Sequence, residues 1–172
     1  MKLSELQPYE FEAFYGTYLG TLNKESDLLD EFNKGKDDLI QFMDTLPADK
    51  FLHNYDVGKW TIAEVLLHII DTERIFLYRA LRFGRGDTTP LAGFEQDDYV
   101  LGSNANERSI EDLKDEYTAV RDSSIALFKH FTEEQLRFSG TASNLTWSVA
   151  GLGFAISGHQ KHHLTILNER YL

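Results

Sequence analysis

The chain is predicted to fold as an all-α four-helix bundle with a long crossover between its second and third helices. Three observations predict this. Four long segments repeat apolar residues at helical spacing, nothing of comparable length alternates like a strand, and one connection is far longer than a helical hairpin needs. With no sheet expected, the four amphipathic helices must bury their apolar faces against one another.

The elements follow in order. An amino-terminal stretch with Tyr9, Phe11, Phe14, Tyr15, Tyr18 and Leu19 is expected to lie against the bundle as an aromatic cover. The first long helix runs from about Glu25 to Leu46, with Leu28, Phe32, Leu39 and Met43 near one face and Pro47 just beyond it. The second opens at Thr61, where Thr61 and Glu64 form a capping box, and runs to about Phe83 before Gly84 and Gly86. The third opens at Ser109, with Glu111 and Asp112 in its first turn, and ends near Phe131. A short helical turn at Glu133 to Leu136 follows a Thr132/Gln135 capping pair. The fourth opens at Ser148 and reaches about Arg170.

The connections set the topology. The Gly84–Arg108 link is Gly- and Asp-rich, and extended it can span a helix on the order of 35 Å long. It is expected to cross the bundle and leave the second and third helices parallel. The shorter links around Pro47 and Ser143 suit antiparallel turns. Trp60-Thr61-Ile62-Ala63 and Trp147-Ser148-Val149-Ala150 echo each other at two helix starts, which suggests a Trp packing back at each entry.

Composition bounds the function. A chain of 172 residues fits one domain, residues 1–172, with a sizeable core. A net charge of −11 disfavours nucleic acid or an anionic membrane as the main partner. No cysteine is present, so a disulfide, a thiolate metal site and a cysteine nucleophile all fall away. Any metal must be held by nitrogen and oxygen. No signal peptide is visible after Met1 and no apolar run is long enough to span a bilayer, so a cytoplasmic location is expected.

The chemistry concentrates in Gly158-His159-Gln160-Lys161-His162-His163. His159 and His163 stand one helical turn apart and project to the same side, and neutral imidazole is a common ligand for divalent transition ions. His162 competes for the second place. Leu152, Ile156, His159, His163 and Leu167 share one stripe with His162 at its edge, which favours His163. A third ligand is available from His68, because an antiparallel second helix brings it to matching depth. The alternative is a set of hydrogen-bonded core histidines, although two neutral imidazoles on an inward stripe bury several polar atoms that need partners. His53 reads as a loop residue and His130 as a helix-terminal charge partner. Glu73, within an apolar stripe, needs a partner from among Arg79, Arg121 and Arg170, or serves as an acceptor behind a ligand imidazole. Asp71 invites the same two readings.

The ordered set Lys59-Trp60, Glu64, His68 to Arg74, Tyr78 to Leu81, Arg85 to Asp87, Pro90-Leu91, Gly93-Phe94, Gly158 to His163 and Glu169 to Leu172 resembles the DinB-like superfamily of metal-binding four-helix bundles. The resemblance spans nearly the whole chain. It implies a metal triad at His68, His159 and His163, zinc, nickel or a similar divalent ion, and a homodimer. It also implies a small-molecule substrate. Such relatives include transferases that use a low-molecular-weight thiol as cosubstrate, a maleylpyruvate isomerase, and proteins named as metal-dependent hydrolases.

Thiol transfer to an electrophile is therefore the leading expectation, since three neutral ligands leave the ion its full charge to stabilise an anionic nucleophile. A hydrolase uses the same open site with water. A non-catalytic dimeric metal-binding stress-response protein would instead close the ion's coordination shell, and a plain helical interaction module would bind no metal.

Overall fold

The computed structural model describes residues 1–172. Its elements are α1 (Gly16–Leu19), α2 (Leu28–Thr45), α3 (Ile62–Gly84), α4 (Gln96–Leu101), α5 (Ile110–Phe128), α6 (Glu133–Leu136), β1 (Ser139–Ala142), β2 (Leu145–Ser148) and α7 (Val149–Ile166), with a wider π-helical turn at Leu167–Tyr171 closing the chain. The four long helices α2, α3, α5 and α7 form the bundle. No helix is long and apolar enough to cross a membrane.

Local chemistry fixes the helix starts. Thr61, Ser109 and Thr132 each accept a hydrogen bond from the backbone N–H three residues on, and the side-chain oxygens of Glu64, Asp112 and Gln135 accept one from the cap residue's own N–H. Ser148 accepts from the Gly151 N–H at the start of α7. α2 begins at Leu28 rather than Glu25, because extended Asp27 caps it and also binds the amino-terminal ammonium at 2.7 Å.

Contacts at the helix ends establish the directions. Thr61 donates to Asn106 Oδ1 at 2.6 Å beside the start of α5, while a Cβ on Gly84 at the far end of α3 would meet the Phe131 ring. Thus α3 and α5 are parallel, as the long crossover requires. Tyr171 donates to the Trp60 carbonyl at 2.9 Å, and the Trp147 and Phe76 rings lie 5.8 Å apart, so α7 runs antiparallel to α3. Lys114 pairs with Asp44, and Arg121 reaches the Phe32 carbonyl, which sets α5 antiparallel to α2.

Four further sequence expectations need correction. The bundle carries a two-stranded hairpin, with Ser139 opposite Ser148 and Ala142 opposite Leu145. Ser143 and Asn144 both take positive φ, 54° and 62°, as a two-residue turn in a twisted hairpin requires. Leu91 of the crossover pairs beside it, donating to the Thr141 carbonyl at 2.9 Å. The crossover also contains α4, and the third helix stops at Phe128 instead of Phe131. The fourth helix is α-helical only to Ile166, where the backbone widens into the π turn.

The core falls into two clusters. One gathers Phe32, Phe76, Phe83, Phe128, Trp147 and Phe154 toward the hairpin end, and the other gathers Leu39, Met43, Ile62, Leu66, Ile69 and Leu113 toward the opposite end. Between them runs a buried polar network. Arg121 donates to both Glu73 oxygens, at 2.8 and 2.7 Å, and Ser124 adds a third bond at 2.7 Å. Arg121 and Tyr117 each donate to Gln160 Oε1 at 2.7 Å, and Gln160 Nε2 donates to the Gly35 carbonyl at 2.6 Å. All four bundle helices are tied together here. Glu73 therefore finds its partner in Arg121, one of the three arginines the sequence offered.

The amino-terminal segment does cover the bundle. A Cβ on Gly158 would lie 2.6 Å from the Tyr18 carbonyl oxygen, and one on Gly151 would lie 2.5 Å from that of Glu10. These two glycines let the cover's backbone lie directly on α7. Tyr15 packs on Trp147 at 4.5 Å, whereas Tyr9 and Phe14 point to solvent.

Candidate metal centre

The two helices that supply the candidate ligands share the most extensive helix–helix interface of the bundle, α3 against α7. Their antiparallel packing puts His68, on the second turn of α3, beside His159 on α7. His163, one turn further along α7, joins them. His68 Nε2 and His159 Nε2 lie 3.0 Å apart, and His163 Nε2 lies 3.1 Å from His159 Nε2. The three form the one group of potential metal-ligating side chains in the structure. Of the remaining histidines, His162 is half-buried beside the Tyr18 ring at 5.0 Å, outside the triad. His53 lies in the α2–α3 connection, and His130 sits exposed in the turn after α5.

Burial keeps the triad uncharged. It pushes His68 down to about 4 and His163 to about 3, the latter aided by His68 and His162. Burial holds His159 well below the usual range, reinforced by His163 and the other two rings. At neutral pH three neutral imidazoles therefore face one another, each able to turn a lone pair toward the others.

That arrangement does not satisfy itself. A neutral imidazole nitrogen has either one lone pair or one hydrogen, so His159 Nε2 can complete only one of its two close contacts as a hydrogen bond. The other neighbour is left competing for the one lone pair or hydrogen already engaged. A cation among three lone pairs removes the conflict. Nitrogens that share a tetrahedral ion at the usual bond length stand about 3.4 Å apart, close to the two separations from His159. The donor set fits a divalent transition ion of the kind imidazole favours, such as zinc or nickel.

The walls are aromatic. Trp60 packs on His68 at 4.9 Å, Tyr18 on His159 at 5.5 Å, and Phe76 lies 6.5 Å from His159. His163 lines a cleft of about 340 Å³ with Tyr55, Lys59, Trp60, Asp97 and Tyr171. Asp97 comes from α4 and Lys59 from the turn before α3. Sequence reasoning missed both, since nothing in a link predicts which of its charges folds over a distant helix. Asp71 takes the bland role, bonding to Arg74 at 3.3 Å one turn along its own helix.

Residues 31–167 match the DinB superfamily. This chain belongs to the DinB superfamily. A protein from Oceanobacillus iheyensis, provisionally named a metal-dependent hydrolase, is 27% identical over 131 residues, covering 73% of each chain. Among solved structures, YfiT from Bacillus subtilis, described as a probable metal-dependent hydrolase with an unusual four-helix-bundle topology, superposes with a TM-score of 0.72. That match covers 83% of this chain and 85% of YfiT at 16% identity, and it shows a shared fold.

Proposed function

We propose that the protein is a metal-dependent enzyme acting on a small molecule, with His68, His159 and His163 as the ion's protein ligands. Its reaction on this reading is transfer of a low-molecular-weight thiol to an electrophile. The convergence of three uncharged imidazole nitrogens beside an open cleft carries the reading. A divalent ion held there supplies a Lewis acid that lowers the pKa of a coordinated thiol or water.

The chain's own residues do the rest. Three neutral ligands leave the ion's charge undiminished, which favours an anionic sulfur over a neutral one. Trp60, Tyr18 and Phe76 wall off the imidazoles and limit competing water. The cleft at His163 gives a small molecule a way in, and its volume lies in the range of small-molecule sites. Thiols ionise more readily than water, so this site can use them without a dedicated base.

Hydrolysis is the second reading, and the names of the two relatives favour it. It needs a group to accept the water's proton, and Asp97 is the carboxylate that lines the cleft. The test is an assay of metal-loaded protein against a panel of thiols with an alkylating electrophile, and in parallel against esters and amides. Thiol consumption that requires metal and is lost in His163→Ala supports transfer. Ester or amide cleavage with no thiol consumption replaces it with hydrolysis.

A further inference from the structure

The cleft beside His163 carries two charges of opposite sign that have no partner within the protein. Lys59 and Asp97 both line it, and neither side chain is tied into an ion pair or hydrogen bond. Their neighbours are engaged elsewhere. Tyr171 donates its hydroxyl to the Trp60 carbonyl, Arg170 leans over the Tyr55 ring with its guanidinium 5.7 Å from the centroid, and Glu64 closes the α3 capping box while accepting from Asn106. Lys59 and Asp97 are the cleft's free cation and free anion.

They stand on separate supports. Lys59 follows Gly58, whose φ of +76° turns the chain immediately before Trp60 packs on His68. Asp97 lies in the first turn of α4, which packs against α3. The Lys59 turn and α4 thus bring their charges to the same opening from two connections. The lining they share also includes the aromatic side chains of Tyr55, Trp60 and Tyr171, and His163.

We propose that this cleft selects a zwitterionic small molecule of the amino-acid type, with its carboxylate on Lys59 and its ammonium on Asp97. This rests on the reading of the triad as a metal centre and deepens it. A cysteine-like thiol then meets three complementary features: a cation for its carboxylate, an anion for its ammonium, and the imidazole cluster for its sulfur. In a protein of net charge −11, a free lysine beside the site also offsets the general repulsion of a carboxylate. Lys59 and Asp97 are specificity-determining residues on this account, separate from the ligands.

The test is calorimetric titration of the cobalt-loaded protein with L-cysteine, cysteamine, which lacks the carboxylate, and 3-mercaptopropionate, which lacks the ammonium. Cysteine is expected to bind roughly fivefold or more tighter than either, the order of one screened charge-assisted contact. Lys59→Met should erase the preference over cysteamine alone, and Asp97→Asn the preference over 3-mercaptopropionate alone. Equal binding of the three thiols, or discrimination that both variants leave intact, would overturn the assignment. If the protein takes up no cobalt, the metal reading falls and S-methylcysteine on the metal-free protein becomes the probe. Weakening of that binding by both variants then supports the zwitterion site by itself, and binding that is absent or indifferent to both overturns it.

Discussion

His68 Nε2 and His159 Nε2 lie 3.0 Å apart across 91 residues of chain. Only the antiparallel packing of α3 on α7 brings them together, and the rigidity of that packing decides whether a metal can be held.

The Glu73–Arg121 pair is the first support, because Arg121 also grips Gln160, the residue next to His159. Both charged side chains are buried, so removing one strands the other away from water. Glu73→Gln is expected to destabilise the protein by about 3–5 kcal/mol in denaturant titration. The double variant Glu73→Met/Arg121→Met should recover most of that loss. A Glu73→Gln cost below about 1 kcal/mol would contradict the view that the network is closed to solvent.

The amino-terminal cover is the second support. Gly158→Ala places a methyl group 2.6 Å from the Tyr18 carbonyl oxygen, a backbone atom that cannot swing aside. The variant should lose about 1–3 kcal/mol, as overpacked sites do. Residues 1–27 should become more open to limited proteolysis. Unchanged cleavage kinetics would show that the cover does not depend on this close approach.

Much of this was legible in the sequence. Thr61/Glu64 and Thr132/Gln135 announced two helix starts through cap chemistry, and the 159/163 spacing with His68 at matching depth identified the three clustered histidines. The hairpin was not legible. Its strands are four residues each, and its turn is Ser143-Asn144 where an Asn-Gly pair would have been a strong signal. Helix α4 is six residues inside a polar link, too short for periodicity to register. Glu73 was recognised as needing a partner, but choosing Arg121 over Arg79 required the facing helices. Lys59 and Asp97 were invisible as a pair because tertiary folding alone joins them.

Acid should weaken the metal-free protein in a particular window. Burial holds His68 at about 4 and His163 at about 3, below the 6.5 of a free imidazole. Between those values the unfolded chain takes up protons that the folded chain refuses. Stability is therefore complete above pH 6.5 and is lost as pH falls toward 4. Each such histidine should cost about 1 kcal/mol at pH 5.5. Denaturant titrations of chelated protein at pH 7.5 and 5.5 measure the loss, and His163→Gln should reduce it by one histidine's share. An equal loss in that variant would contradict the buried, neutral state of His163.

Metal binding should stabilise the fold, since both helices of the principal interface contribute ligands. Saturation at one hundred times the dissociation constant adds about 2.7 kcal/mol to unfolding, and a chelator should remove it. Thermal melts with and without chelator measure the difference. Coincident melts would mean that the ion does not join α3 to α7.

The most direct measurement is the metal content of purified protein alongside His68→Ala and His163→Ala. One divalent ion per chain is predicted for the parent, and none for either variant, with the helical circular dichroism of both variants retained. Full metal content in both variants would contradict the assignment of the triad.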